Sequence, residues 1–275
     1  MNENLSKATN YLSKKIREEH SPEVGIVLGT GLSELVNLID DAVAIPYSEI
    51  PGFVEPTAPS HAGKLISGTI NSVPVCVMQG RFHYYEGYSM EDVTFPVRVL
   101  NAVGCRILIL TNAAGSLNEK MAPGDIVCLK DHINFMGTNP LIGKNEETQG
   151  ERFPSLHEPY DTTLIDKVMN IADEKGIKVQ QGVYTAVTGP SLETRAECRM
   201  FANLGSDLVG MSTVPETIVA KHAGMKVLAF SIVTNYGNIF HSNSHTQEEI
   251  RANAGKAQKS LAILINEIIK DCRTR

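Results

Sequence analysis

The run Cys105-Arg106-Ile107-Leu108-Ile109-Leu110 limits the possible folds more than any other stretch of the chain. It is short, β-branched residues alternate with leucine, and its last four positions are all apolar before polar chemistry begins at Thr111-Asn112-Ala113-Ala114-Gly115. A strand that is apolar on both faces must be covered on both faces, which is the position of a central strand in an α/β sheet.

The remaining segments fit around such a strand. Val24 to Leu28, Ile126 to Leu129, Val179 to Val187, Asp207 to Gly210 and Lys226 to Val233 read as further strands, and Leu65 to Ile70 with Val73 to Met78 reads as a hairpin turning at Asn71-Ser72. Helical spacing covers Leu5 to Glu19, Met90 to Val103 despite Pro96, Leu164 to Lys175, Glu193 to Leu204, Pro215 to Ala223 and Gln247 to Lys270. This alternation predicts an α/β fold: one domain over residues 1–275, with a mixed, largely parallel central sheet flanked by helices. Glu49 to Gly63 and Phe135 to Asp161 are long connections, a length associated with functional loops.

With 42% hydrophobic and 20% charged residues in 275, the chain can bury a large core. A net charge of -6 with no dense Lys/Arg stripe argues against nucleic acid as a partner. No apolar run is long enough to span a bilayer, and the first residues show no secretory pattern, so no membrane partner is expected. The five cysteines, Cys76, Cys105, Cys128, Cys198 and Cys272, form no C-x-x-C pair and read as free thiols in a reducing cytoplasm.

Polar chemistry concentrates where predicted strands stop, which is where ligands collect in open α/β sheets. The richest case is Gly80-Arg81-Phe82-His83-Tyr84-Tyr85-Glu86-Gly87-Tyr88. Arg81 and His83 are alternate residues, so an extended chain turns both towards one pocket, and a cation, an imidazole and a phenol together suit an anion beside a sugar. A solvated turn with an arginine salt bridge is the plain alternative for this segment alone. Thr30, the Asn112-Ala113 amides and Ser212 add donors, Tyr85 and Met211 add amphipathic and apolar surface, and Glu193 and Asn235 add a carboxylate and an amide.

Familiar motifs fail at defined positions. Gly29-Thr30-Gly31 resembles half of a dinucleotide fingerprint, but Glu34 stands at the third glycine; the turn keeps the backbone amides an anion needs. Gly137 to Lys144 misses phosphate-loop spacing and is followed by Asn145 instead of a hydroxyl residue. Gly210-Met211-Ser212-Thr213-Val214 lacks the last glycine of a nucleophile elbow. His241 and His245 have no glutamate between them, and no metal site is expected.

Seven ordered motifs resemble the purine nucleoside phosphorylases of the trimeric type: Gly29-Thr30-Gly31-Leu32, Ser60-His61-Ala62-Gly63, the Gly80 to Tyr88 segment, Thr111 to Gly115, Gly189-Pro190-Ser191-Leu192-Glu193-Thr194, Gly210 to Glu216, and Thr234-Asn235. The resemblance implies reversible phosphorolysis of a purine (deoxy)ribonucleoside to the free base and (deoxy)ribose 1-phosphate. Phosphate is then a co-substrate, and neither metal nor organic cofactor is implied. Thr30, Arg81, His83, the Ala113 amide and Ser212 are implied to bind phosphate, with His61 at its entrance. Tyr85 and Met211 are implied to hold the ribose, and Glu193, Asn235, Leu192 and Val209 the base. Asn235, Glu193 and His83 are the implied catalytic groups. Phe153 resembles the aromatic that enters a neighbouring subunit's site, which implies a homotrimer.

The chain departs from the family pattern at Thr30, usually serine, and at Leu192, which replaces an aromatic that stacks on the base. Gln247 stands where many relatives carry a histidine, with His245 two residues away, and Tyr236 bears on the base pocket and on acceptance of xanthosine. Glu193 is suited to accept the N1 proton of a 6-oxopurine, which favours inosine and guanosine over adenosine. A methylthioadenosine phosphorylase is the nearest alternative, and Asn235 in place of aspartate counts against it. A non-catalytic nucleoside-binding protein on the same fold is the other.

Overall fold

The computed structural model describes residues 3–16, 21–30, 32–57, 62–240 and 246–272. Its helices are α1 (Glu3–Lys15), α2 (Met90–Ala102), α3 (Thr162–Lys175), α4 (Arg195–Asn203), α5 (Val214–His222) and α6 (Gln247–Cys272). Its strands are β1 (Val24–Leu28), β2 (Asp40–Pro46), β3 (Lys64–Ile70), β4 (Val73–Gln79), β5 (Ile107–Ser116), β6 (Ile126–Asn134), β7 (Val179–Ala186), β8 (Leu208–Gly210) and β9 (Lys226–Tyr236).

Among the described residues the strands join in the order β2-β3-β4-β1-β5-β8-β7-β6-β9, and β9 also pairs with β5. Strands β5, β8, β7, β6 and β9 therefore close into a ring, from which β1, β4, β3 and β2 extend as an open sheet. Pairing is mixed. β1 runs parallel to β4 and β5, and β9 parallel to β5, whereas β8 meets β5 antiparallel and β6 meets β9 antiparallel. Helix α6 packs on β9 with α3 beside it, and α2 packs between α1 and α5. The central strands are apolar because both their faces are covered: all five β1 residues are buried, as are Leu108, Ile109 and Leu110 of β5. Cys76, Cys105, Cys128 and Cys198 are buried free thiols.

Local chemistry sets several boundaries. Asn71 and Ser72 both take positive φ, 51° and 63°, as a tight hairpin turn between twisted strands requires. Asn71 Nδ2 donates to the Asn266 carbonyl at 2.9 Å and ties that hairpin to α6. Helix α4 starts after Thr194, whose backbone N–H donates to Glu197 while the Glu197 N–H donates to Thr194 Oγ1. This capping box leaves Glu193 outside the helix that the sequence placed it in.

Three strands run further than expected and one strand is additional. β5 does not end before Thr111 but continues to Ser116, and β9 continues through Thr234 and Asn235 to Tyr236. Each is the other's partner over this length, so tertiary pairing supplies what the polar sequence does not announce. β6 likewise runs on to Asn134 beside β7. Strand β2 has no counterpart in the sequence reading; among the described residues it pairs with β3, and although Ala42-Val43-Ala44-Ile45 is an apolar run, Ile45 is the one buried residue of the strand. The Phe135 to Asp161 connection contains one short 3-10 turn, Glu147–Gln149. Part of the helix expected to reach Glu19 lies outside the described residues.

Candidate active site

A cavity of 150 Å³ opens where strand ends from two directions meet. Thr30 follows β1, Arg81 and His83 follow β4, and Met211 and Ser212 follow β8. Leu192 and Glu193 lie between β7 and α4, and Val209 is on β8. All of these line the cavity together with Tyr85, Ala113 and Asn235. Asn112, Ala114, Gly115, Thr234 and Ile250 complete much of its wall. A larger cavity of 420 Å³ lies between α2 and the loop after β6 and holds none of the predicted residues. Its His222 is hydrogen-bonded to Arg98 on one side and Asn145 on the other, which pins that loop down.

Gly29 brings Thr30 to the pocket. A Cβ at this position would lie 2.6 Å from the Thr111 carbonyl oxygen and 2.8 Å from Asn112 Cα, so only glycine lets the turn after β1 lie against β5. The Gly29 N–H donates to Thr111 Oγ1 at 3.0 Å and closes the contact.

Arg81 is 2% exposed. Its Nε donates to Glu216 Oε1 at 3.2 Å, and its Nη1 donates to the Thr111 carbonyl at 2.7 Å and to Ser212 Oγ at 3.3 Å. Among the described residues Nη2 is buried without a hydrogen-bond partner, as is Asn112 Oδ1. Buried donors of this kind are normally paired, so the guanidinium is held by three protein acceptors and keeps one edge for something else. The salt bridge that the plain alternative foresaw for Arg81 is present, and it is part of the pocket rather than a surface feature.

His83 has extended backbone, φ -120° and ψ 149°, as the sequence reading required for it and Arg81 to share a pocket. Its Nδ1 lies 3.0 Å from Glu86 Oε1, and its ring stacks on Tyr85 with centroids 4.7 Å apart. Burial raises the Glu86 carboxyl pKa. Hydrogen bonds from His83 and Thr57 outweigh this and bring it down to about 2. An anionic Glu86 therefore fixes the imidazole with Nδ1 as donor. Burial raises the Tyr85 phenol above its ordinary range.

Ser212 is presented by an unusual turn. Thr213 has φ 70° and ψ -51°, and the Val214 N–H donates to the Ser212 carbonyl at 2.7 Å, which makes residues 212–214 a γ-turn with a strained central residue. Thr213 is fully buried. It is held by Glu216 Oε2 on its N–H at 2.8 Å, by Asn112 Nδ2 on its hydroxyl at 2.8 Å, and by Thr217 Oγ1 on its carbonyl at 2.9 Å. The Ser212 N–H donates to Tyr184 Oη at 3.3 Å.

Asn235 owes its placement to a bulge. The β5–β9 ladder pairs Ala114 with Val233 and Gly115 with Asn235, leaving Thr234 as an extra residue on β9. Bulges re-aim side chains and recur beside active sites; here Thr234 and Asn235 both reach the cavity. The carbonyl of Thr234 is satisfied by Asn253 Nδ2 of α6 at 2.8 Å. Asn235 Nδ2 would lie 3.2 Å from a Cβ on Gly115, so the missing side chain leaves room for the amide. Glu193 is half-buried, and burial raises its carboxyl pKa.

His61 and His245 lie outside the described residues. Phe153 does not line this chain's pocket; it is 84% exposed, with the Arg152 guanidinium over its ring. Tyr236 follows Asn235 on β9 and packs edge-on against Phe240; it is not among the residues lining the cavity. Glu216, Thr213 and Thr234 lie within the quoted motifs, but the sequence assigns them no role. Thr213-Val214-Pro215-Glu216 does carry the signal of a helix N-terminus, a hydroxyl residue followed by Pro and, three residues on, by Glu.

A pocket on this fold that sets a buried arginine and hydroxyl donors beside a carboxylate and an amide defines an enzyme-like site for an anion and a polar planar ligand. The chain belongs to the phosphorylase superfamily, whose family model matches residues 23–270. It is 46% identical over 98% of both chains to a protein of Bacillus subtilis named purine nucleoside phosphorylase 1. The purine nucleoside phosphorylase of Schistosoma mansoni in complex with inosine superposes with TM-score 0.92 at 40% identity, covering 98% of this chain and 96% of the other. The same enzyme in complex with adenosine superposes equally well, at 41% identity.

Proposed function

We infer that this chain catalyses the reversible phosphorolysis of purine nucleosides, releasing the free base and (deoxy)ribose 1-phosphate. The observation that carries this reading is the meeting, in one pocket, of Thr30, Arg81, His83, Ala113 and Ser212 with Glu193 and Asn235. Relatives named purine nucleoside phosphorylase and a neighbour solved in complex with inosine support the substrate class.

In this reading Arg81, through its unpaired Nη2, binds inorganic phosphate together with the hydroxyls of Thr30 and Ser212, the His83 imidazole and the Ala113 amide, with His61 at the entrance. Tyr85 and Met211 border the ribose. One phosphate oxygen attacks C1′ as the bond from C1′ to the purine nitrogen breaks; the sugar gains positive charge and the purine negative charge. The anionic phosphate stabilises the first. Asn235 Nδ2 donates to purine N7 and stabilises the second, a preorganised donor worth about 3 to 4 kcal/mol in comparable cases. Holding phosphate against C1′ contributes a further large share through positioning. Glu193 accepts the N1 proton of hypoxanthine or guanine, and Leu192 and Val209 pack on the base. No metal or organic cofactor takes part, and the free thiols fit a cytoplasmic setting. Phe153 completes the ribose site of a neighbouring subunit in a homotrimer.

The test is a phosphate-dependent assay with inosine, guanosine, xanthosine, adenosine and methylthioadenosine. Rapid base release from inosine and guanosine, absent without phosphate, is expected. Release from none of them refutes the enzyme reading, and a preference for methylthioadenosine would assign the pocket to the other branch of the family.

A further inference from the structure

We propose that Glu216 is a positioning residue that locks Arg81 and Ser212 into a single anion-binding unit. This proposal rests on the phosphate role inferred above for those two residues.

Glu216 presents its two carboxylate oxygens to two different parts of the pocket wall. Oε1 accepts from Arg81 Nε at 3.2 Å, and Oε2 accepts from the Thr213 N–H at 2.8 Å. Both ionised side chains are nearly inaccessible, at 3% for Arg81 and 6% for Glu216. A carboxylate buried behind an anion site is electrostatically unfavourable to the anion, since it cancels much of the guanidinium's charge. Its presence there calls for a geometric reason. The Thr213 contact supplies one: the strained γ-turn needs its buried N–H satisfied to persist, and that turn sets where Ser212 Oγ stands. Ser212 Oγ in turn accepts from Arg81 Nη1, so Arg81, Glu216, Thr213 and Ser212 form a closed circuit of contacts. Helix α5 begins at Val214, so Glu216 is fixed on a rigid element and holds both donors relative to it.

Charge and position predict opposite results for Glu216→Gln. If the carboxylate acts only as a charge, its removal leaves Arg81 more positive and tightens phosphate. If it acts by position, the amide can satisfy only one of the two donors, and phosphate binding weakens. We expect the KM for phosphate to rise at least tenfold, with the KM for inosine changed less than threefold and a matching loss in calorimetric phosphate affinity. Glu216→Asp keeps the charge and shortens the reach, so it should lose phosphate affinity to a similar degree. A phosphate KM that falls or is unchanged in Glu216→Gln, or a wild-type phosphate KM in Glu216→Asp, would overturn the proposal. If Glu216→Gln does not fold, the aspartate variant alone decides. Phosphate-dependent turnover of inosine by the unaltered protein tests the underlying function separately.

Discussion

Thr234 Oγ1 lies 2.9 Å from Asn235 Oδ1 and 3.3 Å from the Ala114 carbonyl, and donation along the shorter contact assigns the oxygen end of the amide to the protein and leaves the nitrogen end to a ligand. Nδ2 has only a 3.2 Å contact to the Tyr236 carbonyl and a second proton besides. Thr234→Val keeps the shape and removes the donor. Losing one such hydrogen bond is worth about 1 kcal/mol, so kcat on inosine should fall about fivefold. Asn235→Ala should lower it about a hundredfold or more, with little change in the KM for phosphate. Steady-state kinetics on the two variants will show whether Thr234 orients the amide.

Glu86 gives the phosphate end of the pocket an acid limit. Its carboxyl is held at about 2, below the ordinary 4.5. The stabilisation is therefore complete above about pH 4.5 and is lost as the pH falls towards 2. After allowance for solvent screening, this is on the order of 2 kcal/mol. Glu86→Gln should lower the melting temperature at pH 7 and flatten the dependence of stability on pH in that acid range. Calorimetric melting between pH 2.5 and 7 tests it; parallel curves for the two proteins would contradict the assignment.

Glu193 is shifted in the opposite direction, because burial pushes its carboxyl above the usual range. As an anion it accepts from N1 of a 6-oxopurine; once protonated it donates to the N1 lone pair of adenine. The ratio of kcat/KM for adenosine to that for inosine should then rise as the pH falls from 7.5 to 5. Glu193→Gln should raise that ratio at pH 7 and remove most of its pH dependence. A ratio independent of pH in the unaltered protein would exclude Glu193 from reading N1.

Gly29→Ala places a methyl group inside contact distance of the β5 backbone, which cannot swing aside as a side-chain end would. Either the turn or β5 must shift. Destabilisation of about 1 to 3 kcal/mol is expected, the usual range for an overpacked site. A higher KM for phosphate should accompany it, because Thr30 and Asn112 separate. Chemical denaturation together with kinetics would detect both effects.

Exposed Phe153 predicts assembly. Light scattering of the active protein should give three times the chain mass, and Phe153→Ala should raise the KM for inosine while leaving that for phosphate near its original value. Activity from a species of monomer mass would refute a shared site.

Much of the pocket could be read from the chain because its residues follow apolar runs that announce themselves as strands. Arg81, His83, Met211 and Ser212 were located in this way, and Glu193 by the turn after β7. The boundaries of β5 and β9 were not legible, since Thr111 to Ser116 and Thr234 to Tyr236 are strands through each other, at a separation of over a hundred residues. Strand β2 went unread for a related reason: its apolar run, Ala42 to Ile45, is only four residues long between Asp40-Asp41 and Pro46, and its pairing with β3 is what makes it a strand. Ring closure was equally hidden, since it depends on the two- and three-residue pairings of β8 and β6. Glu216 had a local helix-start signal, but its link to Arg81 exists only in three dimensions.

The extra residue at Thr234 changes what one strand can deliver. On a regular pleat, side chains on the same face come from residues two apart, roughly 6 to 7 Å along the strand. At the bulge, consecutive residues whose Cα atoms are about 3.8 Å apart share a face. β9 thus supplies a hydroxyl and an amide as a prewired pair, close enough to bond directly before any ligand arrives. Deleting Thr234 would restore a regular ladder with Asn235 still opposite Gly115, and the amide would then be in place with only the Tyr236 carbonyl to set its direction.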